Sequence, residues 1–480
     1  MNLVLKNSLL CFVFCFPSIF AQAKGVSPYL PLNTDPLFEL QIERLASITQ
    51  MPVLNKPFHI VTVVEYLNKI KTSHPTLYNR LVNYIKRYQK QGGITHLSSK
   101  VGYSDNNKRT QDNNRGIKLD SSFQTTAIAF YQFNKYIIAN VGGTIVDANQ
   151  IIPSNSYISF GYEYLQIDLG YREHWSSPLQ ESASLLSTNA KPALSLTMSN
   201  VKPITSWNAK YEFSLGQLDE MEGIRFNGAV SSGKPLIMGM HFSIQPFDWW
   251  TIGANRTFQF GGGERNTGFS DVWKAIIDPV NSDNCGSGET GCANSNVEVG
   301  NQIASITNRF DLSFQDFPFT LYFEYAGEDT KDHKNYELGN LAYNLGLFLP
   351  YFSESSSLYL EYADYHTHWY EHHIYAEGYR NDGAIMGHWW ANNRKNGDLA
   401  GAIITTARFN IDLTNKSHLA VTLKSVDITD KLALEDYQRT NELEISLRHT
   451  YLEGFIGMSL KAGQDSYGDS YYRTEISYTW

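Results

Sequence analysis

His366, His368, His372 and His373 crowd together between Tyr365 and Ile374. Imidazole is a ligand for zinc, copper and nickel, and residues 366 and 368 of a strand would share one face, so a metal site is geometrically open. A polar run among aromatic neighbours fits the same residues better, and no metal or other cofactor is expected. Cys285 and Cys292 flank Gly286–Gly291. In an oxidising compartment this spacing predicts a small disulfide loop. Two thiols alone lack the further ligands of a closed zinc site. Asp219, Glu220 and Glu222 precede Arg225. Carboxylate pairs ~5–9.5 Å apart serve glycoside hydrolysis, but carboxylates and arginines also line polar pores. Gly261-Gly262-Gly263-Glu264-Arg265 lacks the Gly-Lys-Ser/Thr end of a phosphate loop and predicts a tight bend. No serine is marked out as a nucleophile. The chain is therefore expected not to be an enzyme.

Recognition chemistry is better supplied. Sugar C–H faces stack on aromatic rings, while amides, carboxylates and guanidinium groups bond the hydroxyls. Trp175 sits near the top of one expected strand, and Phe269 and Trp273 lie in the longest loop. Trp369, Tyr370, Tyr379, Trp389, Trp390, Asn392, Asn393 and Arg394 share another loop. These are the candidate glycan-binding residues. The competing reading for each ring is loop packing or an interfacial girdle, and Trp249 and Trp250, beside a short turn, suit a girdle.

Positioning such loops needs a frame, and the last ten residues predict its kind. Tyr472, Thr474, Ile476, Tyr478 and Trp480 alternate with Arg473, Glu475, Ser477 and Thr479. A period of two is a strand. At the other end, Lys6, the apolar run Leu9–Phe20 and Ala21-Gln22-Ala23 read as a signal peptide cut after Ala23. The run is shorter than the ~20 residues of a spanning helix. With 39 basic and 48 acidic residues the chain is acidic, which argues against a nucleic-acid partner. It carries 30 Tyr and 26 Phe without a second long apolar run. Alternating strands rich in interfacial aromatics predict a closed antiparallel barrel in an outer membrane, bathed in its lipid. A soluble β-protein is the weaker alternative.

Residues 24–93 differ from the rest. Asp35-Pro36 reads as a helix start, and stripes at Leu37–Ile48, Ile60–Ile70 and Leu77–Tyr88 predict three short helices. They are too small for a core of their own, so they are expected to fill the periplasmic mouth of the barrel formed by residues 94–480. Eighteen strands are expected to start near residues 94, 120, 136, 156, 165, 193, 206, 236, 250, 304, 318, 340, 357, 401, 418, 441, 455 and 470. Two points of this map have an alternative: the break at Glu163-Tyr164, and residues 367–400, which are long enough for another hairpin. The longest external loops fall at 262–303 and 367–400, and loops of that length tend to be functional.

Several stretches resemble the capsule assembly protein Wzi family. They are Ser27-Pro28-Tyr29-Leu30-Pro31-Leu32 with Glu43-Arg44-Leu45-Ala46, Asn189-Ala190-Lys191-Pro192, Gly223–Gly228, Asn255–Gly263 and Trp389-Trp390-Ala391-Asn392. The resemblance implies an 18-stranded barrel with a helical bundle, acting as a lectin that attaches or assembles capsular polysaccharide. It carries over no individual sugar-binding residue. The expected partner is a capsular or other surface polysaccharide, the expected state a monomer, and the competing function a porin-like diffusion channel for small polar solutes.

Overall fold

The computed structural model describes residues 25–105, 107–278, 298–328, 330–331 and 334–480. Strand Gly92–Ser104 pairs with the next strand, Phe123–Asn134, and also with the last, Ser470–Thr479. The second pairing runs from Ser98↔Thr479 to Ser104↔Arg473 and closes the sheet on itself. Gln150–Ile152 and Ser156–Tyr162 both pair with Ile137–Val146, so they form one strand interrupted at 153–155. Counted so, the wall has 18 antiparallel strands. All 18 expected starts fall on or near a strand. The break at Glu163-Tyr164 is a tight turn closed by Tyr162↔Leu165. Residues 367–400 hide no wall hairpin; they hold only the short ribbon Arg380–Asn381/Ala384–Ile385 and a 3₁₀ turn at Trp389–Asn393.

Parity governs the wall. In Ser470–Thr479, Tyr472, Ile476 and Tyr478 point outward, while Tyr471, Arg473 and Thr479 are buried in the bore. In Gly300–Phe314, Asn301, Ser305, Thr307, Arg309 and Asp311 point inward, and Ile306 outward. Closing the ring leaves no exposed strand edge, so every wall strand finds two partners. Short turns join the strands at one end. Gln315 and Asp316 both take positive φ between Phe314 and Phe317, the two-residue geometry that matches strand twist.

Helices α1 (Pro36–Thr49), α2 (Ile60–Lys69) and α3 (Pro75–Ile85) lie at this short-turn end. Asp35 caps α1 by accepting from Phe38 N–H at 3.0 Å, with Pro36 at the first helical position. Gly92-Gly93 begin the first strand. Ile42, Leu45, Val63, Leu67, Leu81 and Ile85 form one core, completed by the inward-facing wall residues Phe130 and Ile138. The other side of α1 is polar and meets the bore: Arg309 reaches Glu43 at 2.5 Å, and Tyr322 OH donates to it at 2.7 Å. Arg80 pairs with Asp412 at 2.6 Å, and Arg448 pairs with Asp35. A fourth helix, α4 (Phe269–Ile277), lies on the outside of the wall. Val272 and Ala275 cover Phe258 and Phe260, which parity turns outward. No described helix is long and apolar enough to cross a membrane.

Candidate functional site

The long-loop rim folds into the bore. Loop 366–401 turns inward after Tyr365 and packs against loop 172–193 and the upper wall. Inward positions near this rim are apolar and mostly small: Ile303, Ala326, Ala342, Ala363, Ala402, Ile404, Val426 and Ile428. Deeper in the bore the lining is polar, as at Thr307, Arg309 and Asp311. Small wall residues leave room for large loop residues, and burial of apolar area on both sides stabilises the cap.

The aromatic residues expected to meet sugar are that cap's core. Trp369, Tyr370, Tyr379, Trp389 and Trp390 expose 0–3% of their surface. The Tyr365 and Trp369 rings meet edge-on at 4.9 Å, and Tyr370 stacks on Tyr379 at 5.8 Å. Tyr370 OH donates to Ser184 O at 2.7 Å and accepts from His388 N–H at 2.9 Å. Gly387 is required at this crossing, since a Cβ there would lie 2.5 Å from Ser184 O. Arg394 is buried and bonds the carbonyls of Trp369, at 2.6 Å, and Ala400. Asn393 is buried too, and half-buried Asn392 accepts from Ile385 N–H at 3.1 Å. These side chains fix the loop's shape; their ring faces are covered by neighbours.

The remaining expected positions scatter. Trp175 is buried beside Leu32 and Ala183. Its backbone exchanges two 3.0 Å hydrogen bonds with Lys56, so the rim loops meet the helical segment inside the bore. Trp273 sits on α4, half-exposed on the outer wall, away from the cap. Phe269 opens the same helix. Cys285 and Cys292 lie outside the described residues. Asp219 pairs with Lys191 at 2.8 Å, an ordinary ion pair. Gly261, Gly262 and Gly263 all take positive φ and make the expected bend.

The four clustered histidines part company. His366 leaves the strand at its end, exposed, and His368 takes a positive φ in the loop. His372 and His373 instead approach Glu298, a residue no spacing rule connects to them. His388 is fully buried, and burial drives its pKa well below the usual histidine range. Asp398 ties loop 366–401 to loop 429–439. It accepts from Leu434 N–H at 2.9 Å and Tyr437 OH at 2.7 Å. Burial opposes its charge, but these bonds and one from Ala400 N–H hold its carboxyl below the usual carboxylate range. Tyr437 and Tyr467, with centroids 5.8 Å apart, form an aromatic pair at this edge beside the Lys395–Glu435 ion pair. Tyr467 is 51% exposed.

Between helices and cap, a cavity of about 170 Å³ remains, lined by Glu39, Lys56, Asp112, Glu181, Arg408 and Lys461 among others. Both signs of charge line it, and α1 and the loops bound it above and below.

A family model described as capsule assembly protein Wzi matches residues 89–467. The chain belongs to the capsule assembly protein Wzi family. The solved structure of Wzi from Escherichia coli, described as an outer-membrane protein involved in group 1 capsule assembly and a carbohydrate-binding β-barrel, aligns with a TM-score of 0.68. That alignment covers 92% of this chain and 98% of the other at 14% identity. An uncharacterised 55.8 kDa protein in the cps region of Klebsiella pneumoniae is 24% identical over 229 residues. The match spans 45% of this chain and 40% of that relative's length. Acinetobacter baumannii OccAB4 aligns over 82% of this chain and 98% of its own, at 10% identity and a TM-score of 0.47.

Proposed function

We propose that this Wzi-family barrel sits in the outer membrane as a monomeric lectin and attaches capsular polysaccharide to the cell surface. The signal peptide delivers it, the helical segment faces the periplasm, and the capped rim faces outward. One observation carries the reading over a diffusion channel: the Lys56–Trp175 backbone bridge, where helical segment and rim loops meet inside the bore. A bore filled from both ends offers a firm outer surface and no continuous path for solute. The family description and the carbohydrate-binding neighbour support the polysaccharide as ligand. The protein acts by binding and not by catalysis. With the expected tryptophans enclosed, two rings at the rim carry the contact, exposed Tyr467 and part-buried Tyr437, with Lys395 and Glu435 as hydroxyl partners.

Deleting the gene should release polysaccharide into the medium while leaving total synthesis unchanged. Restoring the chain with Tyr467→Ala should recover less cell-bound polymer than the wild type. Unchanged cell-associated polymer in the deletion strain would refute the attachment role.

A further inference from the structure

We propose that Glu298, His372 and His373 form a divalent transition-metal site, of the kind zinc occupies, that clasps two rim loops. His372 Nε2 lies 3.0 Å from Glu298 Oε1, and His373 Nε2 lies 2.7 Å from Oε2. The three groups' ligand atoms all fall within 4.8 Å of one another. The side chains of Glu298 and His372 are nearly enclosed, at 6% and 7% exposure, while His373 is 52% exposed. That leaves one open side, where water would complete the shell. Two imidazoles and one carboxylate with open positions are a donor set for zinc and its neighbours, not for calcium or magnesium, which prefer all-oxygen shells.

Both imidazoles hydrogen-bond the Glu298 carboxylate, and a divalent cation would take the place of the protons those bonds use. The backbone on both sides is already held. Arg225 Nη1 donates to His373 O at 2.8 Å and Arg265 Nη1 to Arg225 O at 2.8 Å, while the Arg265 guanidinium also bonds Glu298 O. The ligands are thus placed before any ion arrives, which lowers the ordering cost of binding. A cation on His372 Nε2 moves that ring's proton to Nδ1, so the long 3.3 Å bond from Ile374 N–H to Nδ1 gives way. Glu298 lies two residues before strand Gly300–Phe314 begins, and the histidines lie in loop 366–401. The ion would therefore join segments 74 residues apart in sequence.

The mature chain, folded in detergent and stripped with EDTA, should take up one equivalent of Zn²⁺ by titration calorimetry. It should also give a Co²⁺ absorption spectrum with nitrogen–oxygen ligation. His373→Ala, at the exposed ligand, should weaken binding by roughly tenfold or more, and His372→Ala/His373→Ala should abolish it. A Cys285→Ser/Cys292→Ser variant should bind like the wild type. Heat-modifiable migration checks that each variant holds its barrel. The proposal fails if the wild type takes up no Zn²⁺, if His373→Ala and the double histidine variant titrate like the wild type, or if the cysteine variant loses the ion.

Discussion

At the scale of single residues, the rim aromatics show how context sets a side chain's role. Trp390 is fully buried between the Tyr365 ring, 5.6 Å away, and the Arg394 guanidinium. Trp390→Ala should cost the cap about 3–5 kcal/mol, the range for large core deletions. Hydrogen exchange across 366–401 should speed up while exchange in the wall strands stays slow. His388 gives a second prediction. Its pKa is depressed by burial in the fold and near 6.5 in an open chain. Between those values the open loop binds the extra proton, so cap stability is full above about pH 6.5 and falls as the pH drops below it. Exchange of 366–401 at pH 7.5 and pH 5 should reveal this, and His388→Asn, which does not titrate, should flatten the dependence.

At the scale of elements, α1 behaves as part of the bore. Its apolar side packs on α2 and α3, and its polar side puts Glu43 against Arg309, which also bonds Asp311 at 2.9 Å. All three charged side chains are at most 4% exposed. Removing the cation of such a cluster strands two buried carboxylates. Arg309→Met should therefore destabilise the protein by about 3–5 kcal/mol, read as a lower unfolding temperature in detergent. The wall strand itself should still form, because Thr307 keeps its pairing with Gly253 and Glu324, and Asp311 its pairing with Thr320. Helix α4 shows the reverse arrangement. It covers outward-facing Phe258 and Phe260, and its own Trp273 and Ile277 stay exposed, at 54% and 60%. That face extends the apolar outer wall toward the rim.

At the scale of the whole molecule, a ring closed by Ser98–Ser104 against Arg473–Thr479 and filled from both ends should not conduct. In planar bilayers the full-length protein should stay silent, and large open steps would mean the bore empties. Much of this architecture was legible in the chain. Alternation along Tyr472–Tyr478 and Leu443–Leu447 fixes which side chains face out, because a strand's period of two is local and survives any tertiary context. Asp35-Pro36 starts α1 for an equally local reason, the cap and the fixed proline φ. The rim was not legible in this way. In the sequence Trp369, Trp389 and Trp390 are candidate sugar platforms, with girdle or loop packing the favoured reading for each ring taken singly. Only the inward fold of loop 366–401 onto Ala326, Ala342 and Ala363 decides for core. Glu298 joins His372 and His373 only through contacts between distant loops, which no spacing records. The sequence by itself determined a closed wall, its parity and its helical segment, since these rest on neighbours along the chain and on pairing rules. The tertiary structure decided what fills the bore and which groups meet at the rim, because long loops owe their shape to what they land on.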